Sequence, residues 1–247
     1  MIRVLIMIAV AGFLLAIVAL SSAVAIGGPD AIARGAWSWG SDGWGSGWDH
    51  HHGRRHRARG PEITREVAWT GGGAVEVDGS ATMTFTQAPG PAKLVITGPQ
   101  RVVEQVVVEG GHIRLMGFAP HSGPVTIAMT APDVSRFDMG GASRLTIEDY
   151  DQERLAIALT GNAEVTARGR TKALDLDLSG SAEADLGRLV TEGAEVDITG
   201  DGEATIAPIT WAKLDITGSG DVTLLTRPGR LETDVSGAGE VHRKDGE

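Results

Sequence analysis

The sequence predicts an all-β protein, a parallel β-helix solenoid of about 19–20 residues per coil that follows an N-terminal hydrophobic helix. Three observations favour this class. A Gly-rich corner recurs at nearly constant spacing, apolar and polar residues alternate on both sides of it, and Gly is abundant at 35 residues while aromatic residues make up only 4%. Many small and few large side chains suit closely packed turns better than a helical bundle.

Residues 1–25 predict a signal peptide or an N-terminal membrane anchor. Arg3 is the single charge ahead of the apolar run Val4–Leu20, and small residues of an Ala-x-Ala cleavage site follow. A run of this length lies between a long signal-peptide core and a short transmembrane helix, so two alternatives stay open. Either the segment is cleaved after Ala25 or residues 2–20 tether the protein to the inner membrane. Both place the remaining chain in the periplasm or at the cell surface.

Residues 26–61 are rich in Gly, Trp and His, and this composition predicts a flexible linker. Neutral imidazoles close together in sequence can chelate Zn²⁺, Ni²⁺ or Cu²⁺. The candidate metal ligands here are His50, His51, His52 and His56. The Trp and Arg residues of the same segment also suit a membrane interface with anionic headgroups, which is a second alternative for the linker.

Charge and cysteine usage exclude several classes of function. The formal net charge is −10, and residues 61–247 carry 29 acidic against 16 basic side chains. Because phosphate contacts require Lys and Arg, a body this acidic argues against nucleic acid as a partner. The chain contains no Cys, which excludes disulfides, thiolate metal sites and a Cys nucleophile.

Residues 62–242 read as a repeated strand-corner-strand unit, and residues 243–247 form a polar tail. The corner Gly recurs every 18–20 residues at Gly141, Gly161, Gly180, Gly200, Gly218 and Gly237, with weaker copies at Gly79, Gly98 and Gly117. These glycines predict nine stacked units. A β-sandwich is the structural alternative, but it does not need the same side chain at the same place in every turn.

Alternation around each corner predicts which residues form the core. Positions two and four before the Gly, and four and six after it, are apolar in most units, whereas the positions between them are polar. A period of two places these positions on one face of each strand, the interior. In the unit around Gly218 the predicted core residues are Leu214, Ile216, Val222 and Leu224.

The corner motif is Thr-Gly-Asp-Gly-Glu-Ala at 199–204, Thr-Gly-Ser-Gly-Asp-Val at 217–222 and Ser-Gly-Ala-Gly-Glu-Val at 236–241. In these motifs the chain resembles the bacterial GIN-domain family, the putative auto-transporter adhesins with a head GIN domain, over about residues 62–242. The function of that family is unknown. The resemblance implies a right-handed parallel β-helix, an exported protein and no known catalysis.

Two columns of acidic residues flank the corner and are the candidate ligand- or cation-binding residues. One stands three residues after the Gly, and the other three residues before it: Glu164, Glu183, Glu203, Asp221 and Glu240, then Asp177, Asp197, Asp215 and Asp234. Carboxylates stacked at the strand spacing of about 4.8 Å repel one another by roughly 1 kcal/mol per pair in water. The columns are either a solvated face that keeps the protein soluble or a surface that binds Ca²⁺ or glycans.

The sequence therefore predicts a non-enzymatic, exported cell-envelope protein that acts as an adhesin-like binding or structural module through polar outer faces. Envelope glycans or other envelope proteins are the expected partners, and only the N-terminal segment would contact a membrane. No cofactor is expected, with Ca²⁺ as the alternative. The alternative function is a β-helix lyase or hydrolase of envelope polysaccharides, because glycoside hydrolysis needs paired carboxylates. No single pair differs from its neighbours, so no catalytic residue is assigned.

Overall fold

The computed structural model describes residues 61–115 and 125–244, which form an all-β solenoid of about five stacked turns. Fifteen strands and one short helical turn make it up. They are β1 (Glu62–Ala68), β2 (Ala74–Asp78), β3 (Ala81–Gln87), β4 (Lys93–Pro99), α1 (Gln100–Val103), β5 (Val106–Glu109), β6 (His112–Leu115), β7 (Val125–Ala131), β8 (Arg136–Met139), β9 (Arg144–Gly161), β10 (Glu164–Gly180), β11 (Glu183–Gly200), β12 (Glu203–Gly218), β13 (Asp221–Leu224), β14 (Arg230–Gly237) and β15 (Glu240–Arg243).

The regular coils run from β9 to the end of the described chain. β9, β10, β11 and β12 each follow almost a whole coil, and each pairs in parallel with the next. β13 and β14 then pair with β12, and β15 pairs with β13. The predicted interior positions Leu214, Ile216, Val222 and Leu224 are all buried, which confirms the alternation around the corner.

Glycine stacks on glycine at the predicted corner. Gly218 has φ +122°, and a Cβ built on it would lie 2.4 Å from the carbonyl oxygen of Gly200. That carbonyl accepts a hydrogen bond of 2.9 Å from the amide of Ser219. Left-handed φ and close backbone approach both exclude a side chain, so the sequence repeats Gly at this position.

A second corner divides each regular coil into two strand segments. In β9 it lies at Asp149, whose φ is +54°, beside Tyr150. Tyr150 is buried, and its hydroxyl donates a hydrogen bond of 2.7 Å to the carbonyl oxygen of Arg154. Each coil thus has one strand segment before the Gly corner and one after it, and both contribute buried residues to the core.

The first half of the described body departs from a simple series of coils. β2 and β3 stack on β8 and the start of β9, with Val77 paired to Met139 and Met83 to Leu145. β6 and β7 form a further coil on the outer side of β2 and β3, although they follow them in sequence. Spatial order and chain order therefore differ here.

This arrangement corrects the prediction of nine equal units. Gly79 does belong to the glycine column, since a Cβ on Gly141 would lie 3.1 Å from the Gly79 carbonyl oxygen. Gly98 does not: it lies within β4, which runs antiparallel to β1 and β7. On the other side of Gly79 stands Leu115, whose Cβ would be 3.1 Å from a Cβ at Gly79. Gly117 lies outside the described residues.

The two ends of the core differ. At the N-terminal end α1 buries Val102 and Val103, and β1 and β4 add antiparallel strands. At the C-terminal end β14 and β15 form the last rung, where Val235 is 40% exposed. Thr233 and Arg243 occupy interior positions of this rung and are exposed, as expected where the apolar pattern breaks.

Among residues 61–115 and 125–244, the helical content is too short and too polar to provide a membrane-crossing helix. The predicted hydrophobic helix, the cleavage site and the linker with its four His residues lie outside the described residues. The domain boundaries and the right-handed winding stay predictions.

Candidate functional site: two carboxylate ladders

The parallel register brings both predicted acidic columns into continuous rows, termed here the aspartate ladder and the glutamate ladder. The aspartate ladder is Asp177, Asp197, Asp215 and Asp234, each paired in register with the next. The glutamate ladder is Glu164, Glu183, Glu203, Asp221 and Glu240, likewise paired rung by rung. The aspartate ladder lies on the strand segments before the Gly corner and the glutamate ladder on the segments after it. All nine predicted ladder residues therefore occupy the predicted rows.

Like charges lie close together in the aspartate ladder. Partial burial raises the pKa of Asp177, and the carboxylates of Asp175, Asp138 and Glu195 raise it further against the opposing effect of Arg136. Burial is also the main reason for the raised pKa of Asp197, followed by the neighbouring carboxylates of Asp177, Glu195 and Asp215. Ionisation of these carboxyl groups is thus unfavourable in the folded protein. A cationic or hydrogen-bonding ligand would relieve this repulsion, so the surface favours such a ligand.

The glutamate ladder begins neutralised and ends in a shallow groove. Arg144 forms two hydrogen bonds to Oε2 of Glu164, at 2.8 and 2.5 Å. Further along, the side chains line a groove of about 180 Å³, termed the acidic groove. Its lining consists of Glu183, Ala184, Asp185, Glu203, Ala204, Thr205, Asp221, Thr223 and His242. His242 also lies 3.4 Å from Glu240.

Most carboxylates near the second corner are neutralised by a base one coil away. Arg170 binds Asp151 through two hydrogen bonds of 2.9 and 2.6 Å, and Lys172 approaches Glu153 to 2.5 Å. Arg168 pairs with Glu148 in the same way. These pairs were not predicted, although a base 19–20 residues after an acid is a visible signal in the sequence. Their effect is that these three carboxylates are balanced by bases, whereas the four residues of the aspartate ladder have no ion-pair partner among the described residues.

A preformed metal centre is not part of this arrangement. Within the part of the chain that the structure describes, no three His, Asp or Glu side chains converge as the ligands of a metal ion would. Neighbouring rungs offer two carboxylates at the strand spacing of about 4.8 Å, fewer oxygens than the six to eight that Ca²⁺ takes. Calcium binding at the ladders stays a prediction, as does metal binding by the His cluster.

The raised pKa values of the aspartate ladder predict a dependence of stability on pH. Replacing Asp177 and Asp197 together by Asn should increase the free energy of unfolding at pH 7. The folded-state pKa of each carboxyl lies above its ordinary value of 3.8, so the folded state binds protons more readily than the unfolded state. The ionised groups therefore destabilise the fold above the raised pKa. The gain from Asn should shrink as the pH falls through that pKa towards 3.8.

Urea denaturation at pH 7 and pH 4 measures this difference. Asp201→Asn, at an exposed Gly corner, is the matched control and should change stability little at either pH. A double variant that is less stable than the unmodified protein at pH 7 would show that the ionised pair makes favourable contacts, contrary to the prediction.

Comparison with known proteins places this architecture in a family. A search of curated proteins by sequence found no match. A crystal structure of a putative adhesin from Bacteroides fragilis NCTC 9343 is similar, with 17% identity, a TM-score of 0.56, and coverage of 74% of this chain and 97% of that one. A crystal structure of a putative lipid binding protein from Parabacteroides distasonis ATCC 8503 has 16% identity, a TM-score of 0.48, and coverage of 75% and 98%. The family model described as "Putative auto-transporter adhesin, head GIN domain" matches residues 73–228, and the chain therefore belongs to that family.

Proposed function

We propose that this chain is a non-enzymatic, exported protein of the cell envelope that acts as an adhesin-like binding module. The observation that carries the proposal is the pair of carboxylate ladders held in register on a parallel solenoid, with most rungs lacking an ion-pair partner among the described residues. Membership of an adhesin-head family supports a binding role and an envelope location. The expected partners are envelope glycans or envelope proteins, recognised by the polar outer faces.

The repetition of the ladders supports binding over catalysis. An acid–base pair works because two carboxyl groups have different environments and pKa values. In the aspartate ladder, the pKa values of Asp177 and Asp197 are both raised, and burial is the main cause in both. Equivalent rungs can instead contact successive units of an extended partner, and they are therefore suited to binding a polymer with a repeating structure.

Retention on isolated envelope fragments tests the proposal. The full chain should sediment with the fragments, and the triple variant Asp177→Asn, Asp197→Asn, Asp215→Asn should be retained at least about fivefold less, since it removes three of the four rungs of the aspartate ladder. The matched control is Glu148→Gln, Asp151→Asn, Glu153→Gln. It removes the same charge from carboxylates that are already neutralised by bases one coil away.

Equal retention of the ladder variant and the unmodified chain would contradict a role for the aspartate ladder. Assay of the supernatant for new reducing ends or unsaturated sugars separates the two function classes. A binding module leaves both at the level of the blank, whereas their release would support the polysaccharide-active alternative.

A further inference from the structure

A small apolar patch lies at the second corner of two neighbouring coils. Among residues 61–115 and 125–244, the exposed large apolar side chains are Val190, Ile209, Trp211 and Val235, at 51, 55, 37 and 40%. The first three belong to β11 and β12, which are paired through this corner. They are termed here the corner patch. Val235 is exposed because it lies on the last rung, whereas the corner patch lies on β11 and β12, each of which is paired with a further strand beyond it.

The indole ring of Trp211 packs on the backbone of a glycine. It is in register with Gly193 of the coil before it, and a Cβ on Gly193 would lie 2.0 Å from Cε2 and 2.1 Å from Nε1 of the indole. The ring therefore lies directly over the backbone of Gly193, which it buries. Every other side chain at residue 193 would displace it. A ring fixed in this way loses little conformational freedom when a ligand covers its free side.

The polar end of this indole has no partner within the described residues. Trp69 gives the contrast: it is buried, and its Nε1 donates a hydrogen bond of 3.1 Å to the carbonyl oxygen of Gly72. Nε1 of Trp211 donates to no protein acceptor among residues 61–115 and 125–244. Trp69 is thus a core residue with a satisfied donor, whereas Trp211 leaves more than a third of its surface exposed to a ligand.

The groups beside Trp211 are charged, polar and locally balanced. Two residues along the same outward face, Lys213 approaches Glu195 to 2.5 Å. In the following coil, Arg230 is in register with Trp211 and lies 3.1 Å from Glu232. Two acids and two bases border the ring, while the aspartate ladder runs one further row away. Carboxylate and ammonium groups next to an aromatic ring are the donors and acceptors that sugar hydroxyls require.

We infer that Trp211, seated on Gly193, is a stacking platform for one ring of a neutral glycan. The apolar C–H face of the sugar would cover the indole, and the Glu195–Lys213 pair and Glu232 would receive its hydroxyls. This assignment rests on the proposed binding function and names a site and ligand class for it. The acidic ladders disfavour anionic polysaccharides and anionic lipid surfaces. A protein interface normally covers about 800 Å² on each partner, far more than the three side chains of the corner patch can supply.

Affinity electrophoresis of the full chain tests the site. The probes are soluble galactomannan, mannan, dextran and mixed-linkage β-glucan, with alginate and hyaluronan as anionic comparisons. At least one neutral polysaccharide should retard the unmodified protein. Trp211→Ala should weaken that retardation about tenfold, because one stacked aromatic contact is lost. Trp211→Phe should stay within about threefold, since it keeps a ring.

Two further variants distinguish stacking on the indole from hydrophobic protein docking. Ile209→Ala removes the most exposed apolar side chain of the corner patch and should leave glycan binding unchanged, whereas a hydrophobic protein-docking site would lose affinity. Gly193→Ala should weaken binding with the indole still present, because the new methyl group displaces the ring. If Gly193→Ala does not fold, the comparison of Trp211→Ala with Trp211→Phe decides the question.

The inference is overturned if no neutral polysaccharide retards the unmodified chain, or if Trp211→Ala binds as strongly as the unmodified chain. The proposed function is tested by a different result. If the chain is retained on envelope fragments but binds no polysaccharide, the Trp211 site is wrong and the proposed binding function still holds. If only the ladder variant loses retention, binding takes place at the aspartate ladder.

Discussion

Gly218→Ala should lower the free energy of unfolding by about 3–5 kcal/mol, because it combines backbone strain with a steric clash. Gly218 has φ +122°, a conformation that side chains disfavour, and its Cβ would lie 2.4 Å from the carbonyl oxygen of Gly200 and 3.1 Å from its Cα. That carbonyl already accepts the amide of Ser219 at 2.9 Å. The methyl group can be accommodated only if two stacked corners separate, which would weaken the hydrogen bonds on both sides of the corner.

Gly90 provides a matched control for backbone strain. Its φ is +121°, nearly that of Gly218, but a Cβ on it would have no heavy atom within 4 Å. Gly90→Ala should therefore lower the free energy of unfolding only by the backbone strain, about 1–2 kcal/mol. Urea denaturation followed by circular dichroism gives both values. Equal costs at the two positions would show that stacking of the glycine column contributes nothing beyond φ.

The same clash at stacked corners is the reason that the regular coils could be predicted from the sequence. Stacked corners accept only Gly, so the column marks the same point of every turn and fixes the phase of the alternation around it. Ile198 and Ile216 stand two residues before their corners and are buried as predicted. The aspartate and glutamate ladders followed from the same phase, because residues at equal positions in parallel coils must lie side by side.

The first half could not be predicted by the same reasoning, because spacing along the chain does not specify order in space. Gly98 stands 19 residues after Gly79, yet it pairs antiparallel with Ile63 in a strand that covers the end of the solenoid. The β6–β7 coil lies outside the β2–β3 coil although it follows it. Alternation identifies a half-buried strand in either direction, and the choice of neighbour is made by the packing of the whole core.

The two carboxylate ladders of the candidate site were predicted from the sequence, but the residues that lie beside them were not. Asp185 and His242 line the acidic groove, but the position five residues after the corner is otherwise Thr in most coils, so it carries no acidic or basic pattern. Trp211 was missed for a related reason. Its significance depends on Gly193 one coil earlier, and a single Gly outside the corner column looks unremarkable until the register is known.

Phe137→Ala should destabilise the protein by about 3–5 kcal/mol, because it leaves a large cavity in a fully buried site. Phe137 is completely buried, and its ring meets the ring of Phe85 edge to face, with centroids 5.0 Å apart and planes at 65°. In parallel register it is paired with Val75 on one side and Ile157 on the other. It therefore lies where the rearranged first half joins the regular coils.

A double-mutant cycle with Phe85→Ala separates the ring contact from simple burial. The losses in free energy of unfolding of the two single variants, added together, should exceed the loss of the double variant by about 0.5–1.5 kcal/mol. This is the usual coupling energy of an aromatic pair. Strict additivity would argue against a specific ring contact. Hydrogen exchange of the Phe137→Ala variant should show faster exchange in β2 and β6 than in β11, since the loss acts at the junction and the regular coils keep their own glycine column and core. Uniform acceleration would mean instead that the solenoid unfolds as one unit and that the junction has no separate role.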